Sequence, residues 1–236
     1  MIKTYVICNI EREKDRYDNL KKQIFEYKLD NILDIEYFTF IWKDQITQEI
    51  RDKYCKTDVT MRKYGRNMGE RPMTNGEISL FLNYIECLRK VKKENENSDS
   101  NFLIIESDTI FKEIFIEKIN STFKDIEKIN DLDILNIGEG ARYSMRGYPM
   151  TTPITIDGYK YHKENINSCA EAILWTYKGI CKFLDYYEKD EDIDGPIDSK
   201  MDMLSTYYGN FNIYWIVPSL VYQGSVDGKI FQTSIR

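Results

Sequence analysis

The 236-residue chain has a single histidine, His162, and no two cysteines are separated by only two residues. Zinc sites and mechanisms that need a pair of histidines are therefore unfavourable, because zinc is normally held by histidine and cysteine side chains. Carboxylates would have to hold any metal ion that the protein uses, which favours Mg²⁺ or Mn²⁺. The five cysteines are odd in number and scattered, so we expect buried free thiols in a reducing compartment rather than disulfides.

Long apolar runs and an excess of positive charge are also missing. No run of 18 or more apolar residues occurs, and the apolar N-terminal stretch is too short for a signal peptide. We therefore expect a cytoplasmic protein without a membrane span. With 33 basic and 39 acidic residues the formal net charge is −6, which argues against nucleic acid as a partner. The content of 42% hydrophobic and 31% charged residues is typical of a soluble globular protein.

The order of the predicted elements indicates an α/β protein. A strand at Tyr5–Cys8 precedes a helix with apolar residues three and four positions apart, and a second strand follows at Ile35–Phe40. We expect residues 138–165 to form a loop. No linker or internal repeat divides the chain, so we expect one domain over residues 1–236. Further strands are predicted at Phe102–Ile105, Ile134–Ile137, Ala170–Trp175 and Phe211–Val217.

Between these strands, the polar segments predict a helix start and two surface regions. Thr74 and Glu77 form a Thr-x-x-Glu capping box, which explains Glu77 structurally, although a ligand-binding role remains an alternative. Residues 57–72 lack an apolar period and carry four basic side chains. They predict a long loop that either folds over a diphosphate or is a solvated segment. We expect His162 and the acidic segment 188–194 to lie at the surface.

Two carboxylates, Glu106 and Asp108, follow directly after the apolar run that ends at Ile105. Ligands of open α/β sheets bind at the carboxyl ends of the strands, where such a pair can hold a divalent cation. The cation would bridge the phosphates of a nucleotide diphosphate and offset charge on the leaving group. The alternative is that both acids solvate the turn or cap the next helix, and the pattern alone leaves both interpretations open.

The turn after the first strand and a proline-initiated segment supply further candidates. Asn9, Arg12 and Arg16 lie near the end of the first strand, where arginines can clamp phosphates. Without further context, a helix start with solvated arginines explains them better. Asp198, in Pro196-Ile197-Asp198, is a candidate general base or a helix cap.

Five segments in this order resemble glycosyltransferase family 25, which contains lipooligosaccharide glycosyltransferases and collagen β-galactosyltransferases. The resemblance extends nearly from end to end. The segments are residues 6–16, similar to the opening "VINLxRxxDR"; residues 74–78, similar to "LTxGEIG"; residues 102–108, similar to "xLILEDD"; residues 172–184 with the "PxD" element at 196–198; and the tail at 218–223.

The resemblance implies a GT-A-like α/β fold, with a mixed central sheet flanked by helices and a Rossmann-like N-terminal half. It implies an inverting transfer of a hexose from a UDP-sugar to a glycan or protein acceptor, assisted by Mn²⁺ or Mg²⁺. The site residues that it implies are Asp108 and Glu106 for the metal; Asn9, Arg12, Arg16, Glu77 and Glu106 for the nucleotide sugar; and Asp198 for the base or acceptor contact.

Two departures from the family pattern affect these expectations. Ser107 replaces the middle carboxylate of the strand motif, so that one charge is lost and metal binding is expected to be weaker or altered. Asn83-Tyr84 replaces the usual Ser-His pair of the following helix. A catalytically degenerate member that binds a glycan or a partner is therefore an alternative. A metal-dependent nucleotidyl- or phosphotransferase is a weaker one, since no lysine-containing phosphate loop is present. Trp175 and Trp215 would either stack on a ligand or pack in the core.

Overall fold

The computed structural model describes residues 1–56, 72–96, 100–139, 152–164, 169–225 and 230–231. The strands are β1 (Ile2–Ile7), β2 (Leu33–Phe38), β3 (Asn101–Glu106), β4 (Thr109–Phe111), β5 (Ile134–Asn136), β6 (Ile154–Ile156), β7 (Tyr159–Glu164), β8 (Ala172–Thr176), β9 (Ile213–Val217) and β10 (Val221–Gln223). The α-helices are α1 (Lys14–Glu26), α2 (Gln48–Tyr54), α3 (Asn75–Glu94), α4 (Glu113–Asp125), α5 (Tyr177–Asp190) and α6 (Ile197–Tyr208).

Eight strands form one mixed sheet in the order β2-β1-β3-β8-β5-β9-β7-β6. β1 pairs in parallel with both β2 and β3, and the β1-α1-β2 crossover makes the N-terminal half Rossmann-like. β8 lies antiparallel between β3 and β5, and β9 is parallel to β5. β4 and β10 form a separate antiparallel pair. This architecture confirms the GT-A-like α/β fold that the sequence predicted.

Both faces of the sheet are covered by apolar layers. Along β1, Tyr5 and Ile7 belong to one buried cluster, whereas Val6 belongs to the other. The same alternation occurs along β3, which explains why its sequence is a continuous apolar run. The first cluster contains the apolar faces of α3, α5 and α6, and the second contains those of α1 and α4.

Several sequence predictions need correction. The predicted loop at residues 138–165 contains β6 and β7, because β7 pairs with β9 and buries Tyr159, Tyr161 and His162 there. His162 is 6% exposed on β7, opposite Trp215, and is therefore not a surface residue. In the acidic segment, Asp192 and Ile193 are buried rather than exposed.

The structure also bears on the cysteines and on the apolar content of the helices. All five cysteines are free, but only Cys8 and Cys87 are buried, whereas Cys55, Cys169 and Cys181 are partly exposed. Among the described residues, no helix is long and apolar enough to cross a membrane. The predicted basic loop falls on residues 57–71, which lie outside the described part of the chain.

Candidate functional site

The candidate site lies at the edge of the sheet where β1 and β3 end. Because β8 is antiparallel to β3, the residue before β8, Glu171, lies at the same edge, and its carbonyl accepts a hydrogen bond from the Glu106 amide at 2.9 Å. β5 also ends here, which brings in residues 137–139. The sheet order thus assembles the site from segments that are far apart in sequence, at the edge where α/β proteins bind ligands.

An open cleft lies at this edge. Three of the predicted site residues line it, namely Arg16, Glu106 and Asp108. Polar and aromatic side chains that the sequence analysis did not single out line it as well. These are Glu13 from the turn before α1, Trp42 and Lys43 from the loop after β2, Ser79 from α3, and Gln223 and Ser225 from the C-terminal segment.

Ser107, which replaces the family's middle carboxylate, is the centre of a largely buried hydrogen-bond network. Its hydroxyl donates to Glu13 Oε1 at 2.8 Å and accepts from Arg16 Nη1 at 3.1 Å. Arg16 Nη1 also lies 3.3 Å from Glu13 Oε1. Glu13 therefore places a carboxylate beside the serine, so the acidic charge that the strand motif lacks is supplied from the turn before α1. The burial of Glu13 raises the pKa of its carboxyl, and the hydrogen bond from Ser107 opposes that rise.

Asp108 and Glu171 are the most enclosed of these site carboxylates, each with 1% of its surface exposed, compared with 8% for Glu106. In Asp108, the side chain and the backbone both take part in the site. Its Oδ2 accepts a hydrogen bond from the Ser225 hydroxyl and lies 3.8 Å from Arg16 Nη1. Its carbonyl accepts from the Gly224 amide at 2.8 Å. Its Oδ1 is buried without a hydrogen-bond partner among the described residues. Burying a carboxylate oxygen without a partner is costly, which makes Asp108 a candidate ligand-binding group.

Glu106, which also lines the cleft, lies in an acidic environment. Its burial, followed by the charges of Asp108 and Glu171, raises the pKa of its carboxyl well above the ordinary value, and Arg16 lowers it. Asp198, at the start of α6, adds a smaller effect in the same upward direction. The charges of these carboxylates repel one another, and a bound cation would offset that repulsion.

Asp198 itself is held by backbone amides. Its Oδ2 accepts from the Cys169 amide at 3.2 Å, and its Oδ1 accepts from the Ser199 amide at 2.8 Å. These bonds fix the carboxylate where the segment before β8 meets the N-terminal end of α6. Glu171, on that same segment, accepts from the Glu139 amide at 2.7 Å through its Oε1. No local motif marks Glu171, so only its position beside Glu106 identifies it.

Three of the predicted binding residues have local structural roles and do not line the cleft. Asn9 Oδ1 caps the turn by accepting from the amides of Glu11 and Arg12. The exposed Arg12 side chain lies 3.0 Å from Asp44. Glu77 completes the predicted capping box, accepting from the Thr74 amide at 2.8 Å. A role for them in nucleotide binding stays a prediction.

The two departures in α3 also have structural explanations. Asn83 bonds the backbone of the loop after β2, and the Tyr84 hydroxyl donates to the Ala170 carbonyl. Both therefore fasten segments that border the site. Trp175 and Trp215 are 0% and 1% exposed, so they pack in the core and do not stack on a ligand.

The acidic residues suit a divalent cation that takes only part of its coordination from protein. In the described part of the chain, no three histidine, cysteine or carboxylate side chains are grouped as a metal cage. Mg²⁺, however, is typically held by one or two carboxylates together with phosphate oxygens and water. Asp108, with its unpartnered oxygen, and the neighbouring Glu106 provide that number of ligands.

The sequence matches one protein family, and the fold is similar to that of a solved glycosyltransferase. Over residues 1–191 the sequence matches the family described as glycosyltransferase family 25 (LPS biosynthesis protein). A search of curated proteins gave no match. One similar solved structure is that of a glycosyltransferase involved in the glycosylation of the major capsid of PBCV-1. The similarity covers 94% of this chain and 92% of that one, with 9% sequence identity and a TM-score of 0.47. The family match extends over most of the chain and includes both the strand that ends at Glu106 and the following residue pair Ser107 and Asp108. The protein therefore belongs to glycosyltransferase family 25.

Proposed function

We propose that this family 25 glycosyltransferase transfers a hexose from a UDP-sugar to a hydroxyl group of a glycan or protein acceptor. The transfer inverts the anomeric configuration and is assisted by Mn²⁺ or Mg²⁺. The observation that carries the proposal is the buried, unpartnered oxygen of Asp108 at the carboxyl edge of the sheet, beside Arg16 and Glu106.

Asp108 is the proposed direct metal ligand, and Glu106 shares the metal or contacts the ribose. When bound, the cation neutralises charge that develops on the departing diphosphate. The raised pKa of Glu106 supports this assignment, since a nearby cation would favour the ionised carboxylate that its neighbours disfavour.

Arg16 provides a second positive charge for the diphosphate. Its guanidinium is held by Ser107 and Glu13, so it needs little reorganisation when a phosphate arrives. A preoriented charge of this kind stabilises the transition state more than a mobile surface arginine would.

Asp198 is the proposed base that accepts the proton of the acceptor hydroxyl. Two backbone amides hold its carboxylate in a fixed orientation, as a positioned base requires. Its position at the start of α6, on the β8 side of Glu106, leaves the β1 side of the cleft for the donor.

The proposal is tested by thermal shift with UDP and Mn²⁺, followed by a hydrolysis screen of UDP-glucose, UDP-galactose and UDP-GlcNAc. We expect UDP with Mn²⁺ to raise the melting temperature of the wild type and of Asp18→Asn, an exposed control on α1. Asp108→Asn should fold but lose this shift. Absence of any shift at millimolar UDP in the wild type would contradict the proposal. Binding without hydrolysis or transfer of any donor would instead favour the degenerate, binding-only alternative.

A further inference from the structure

The loop that follows β2 is fastened to α3 by buried hydrogen bonds. The Phe40 amide donates to Asn83 Oδ1 at 2.6 Å, and Asn83 Nδ2 donates to the Ile41 carbonyl at 2.7 Å. The Ser79 hydroxyl donates to the same carbonyl at 2.9 Å. Asn83 is 4% exposed, so these bonds are shielded from water. The backbone of this loop is therefore fixed before any ligand binds.

The next residue on this loop is Trp42, which lines the cleft together with Lys43. The Trp42 amide donates to Gln45 Oε1 at 2.7 Å, which continues the rigid backbone. Of the three tryptophans, Trp175 and Trp215 are buried in the core, whereas Trp42 is partly exposed. An indole on a fixed backbone at a cleft wall is suited to stacking with a flat ligand, because little side-chain freedom is lost.

Trp42 follows β2, and the place of β2 in the strand order indicates which part of a donor Trp42 would contact. β2 lies two strands from β3, so at about 4.8 Å per strand the ends of β2 and β3 are about 10 Å apart. The charged groups for a diphosphate, Asp108 and Arg16, are at the β3 end. The acids Glu171 and Asp198 lie on the other side of β3, beside β8. A donor with its diphosphate at β3 thus has its nucleoside on the β2 side and its sugar on the β8 side.

We propose that Trp42 is the stacking platform for the base of the donor nucleotide and that Asn83 is the residue that positions it. The inference rests on the proposed nucleotide-sugar donor and adds the orientation of that donor along the sheet edge. It also assigns a role to the residue that replaces serine in the family pattern. Asn83 also lines the cleft, and the role assigned to it here is to hold the loop backbone that carries Trp42.

The test compares the binding of UDP and of inorganic pyrophosphate, each with Mn²⁺, by calorimetry. Trp42→Ala should weaken UDP binding on the order of tenfold, the usual effect of removing one aromatic–base stack. Pyrophosphate has no base, so Trp42→Ala should bind pyrophosphate with the same affinity as the wild type. Phe40→Ala is the matched control, because Phe40 is an exposed aromatic on the same loop that does not line the cleft. UDP should quench tryptophan emission in the wild type and in Phe40→Ala, but not in Trp42→Phe.

Asn83→Ala tests the positioning role. This substitution should weaken the binding of UDP but not that of pyrophosphate. It should also raise KM for the donor with little change in kcat. In the double variant with Trp42→Ala the two losses should not add, because both remove the same stack. Full additivity would show that Asn83 acts separately from Trp42 and would overturn the positioning role.

The outcomes separate the two proposals. A wild type that binds neither UDP nor pyrophosphate contradicts the proposed function itself. A wild type that binds UDP, with Trp42→Ala binding it equally well, overturns the stacking role alone. Equal weakening of UDP and pyrophosphate by Trp42→Ala also overturns it, because the indole would then act on the phosphate end.

Discussion

Ser107→Asp restores the acidic triplet typical of the family, and in this protein we expect it to be destabilising. The Ser107 hydroxyl donates a hydrogen bond to Glu13 Oε1 at 2.8 Å. A carboxylate at position 107 cannot donate this bond and would instead lie next to the negatively charged Glu13 carboxylate. Ser107 and the side chain of Glu13 are both largely shielded from water, and Arg16 is the cation that bonds the pair. The family's acid and Glu13 are therefore alternative ways of placing one negative charge beside Arg16.

The expected magnitude follows from the charge separation. Two like charges about 4 Å apart repel by about 4 kcal/mol at an effective dielectric constant of 20. Arg16, which lies 3.3 Å from Glu13 Oε1, offsets part of this repulsion. We expect a net coupling free energy of about 2–3 kcal/mol between Glu13 and the carboxylate introduced by Ser107→Asp, within the range seen for neighbouring charged residues.

The assay is urea unfolding of the wild type, Ser107→Asp, Glu13→Gln and the double variant. Glu13→Gln should recover most of the stability that Ser107→Asp loses. Repulsion raises the folded-state pKa of both carboxyls above the unfolded value of about 4, so the penalty is fully present above the folded pKa. It should disappear as the pH falls below the unfolded pKa. Additivity of the two substitutions within about 0.5 kcal/mol at pH 7 would refute the reasoning.

Two further predictions concern the fold. A Cβ at Gly179 would lie 2.2 Å from the Asp133 carbonyl oxygen, so Gly179→Ala should lower the unfolding free energy by about 2 kcal/mol or more, whereas the neighbouring exposed Lys178→Ala should change it little. Urea unfolding of the two variants measures the difference, and equal stabilities would contradict the steric argument. Burial raises the pKa of the Cys8 thiol to about 12, so at pH 8 this thiol should stay unreactive towards a disulfide reagent until urea unfolds the protein. Peptide mapping that finds Cys8 modified rapidly in the native protein would count against this expectation.

The local elements were largely predictable because their signals lie within short segments. The capping box at Thr74 and Glu77, the apolar run of β3 and the strand that became β8 all follow from spacing and composition. The predictions that were wrong concern a segment whose structure depends on pairing between strands. The polar composition of β7 suggests a loop, and only its pairing with β9 shows that Tyr159 and Tyr161 are buried on one face of the sheet and His162 on the other.

The sequence by itself determined the α/β class, the family resemblance and the acidic pair Glu106 and Asp108 after a buried strand. Tertiary structure alone decided which side chains join that pair. Glu13, Glu171 and Trp42 belong to the turn before α1, the segment before β8 and the loop after β2, and the strand order brings these segments to one edge. Such contacts depend on which strands pair across the sheet, and no pattern within a single segment carries that information.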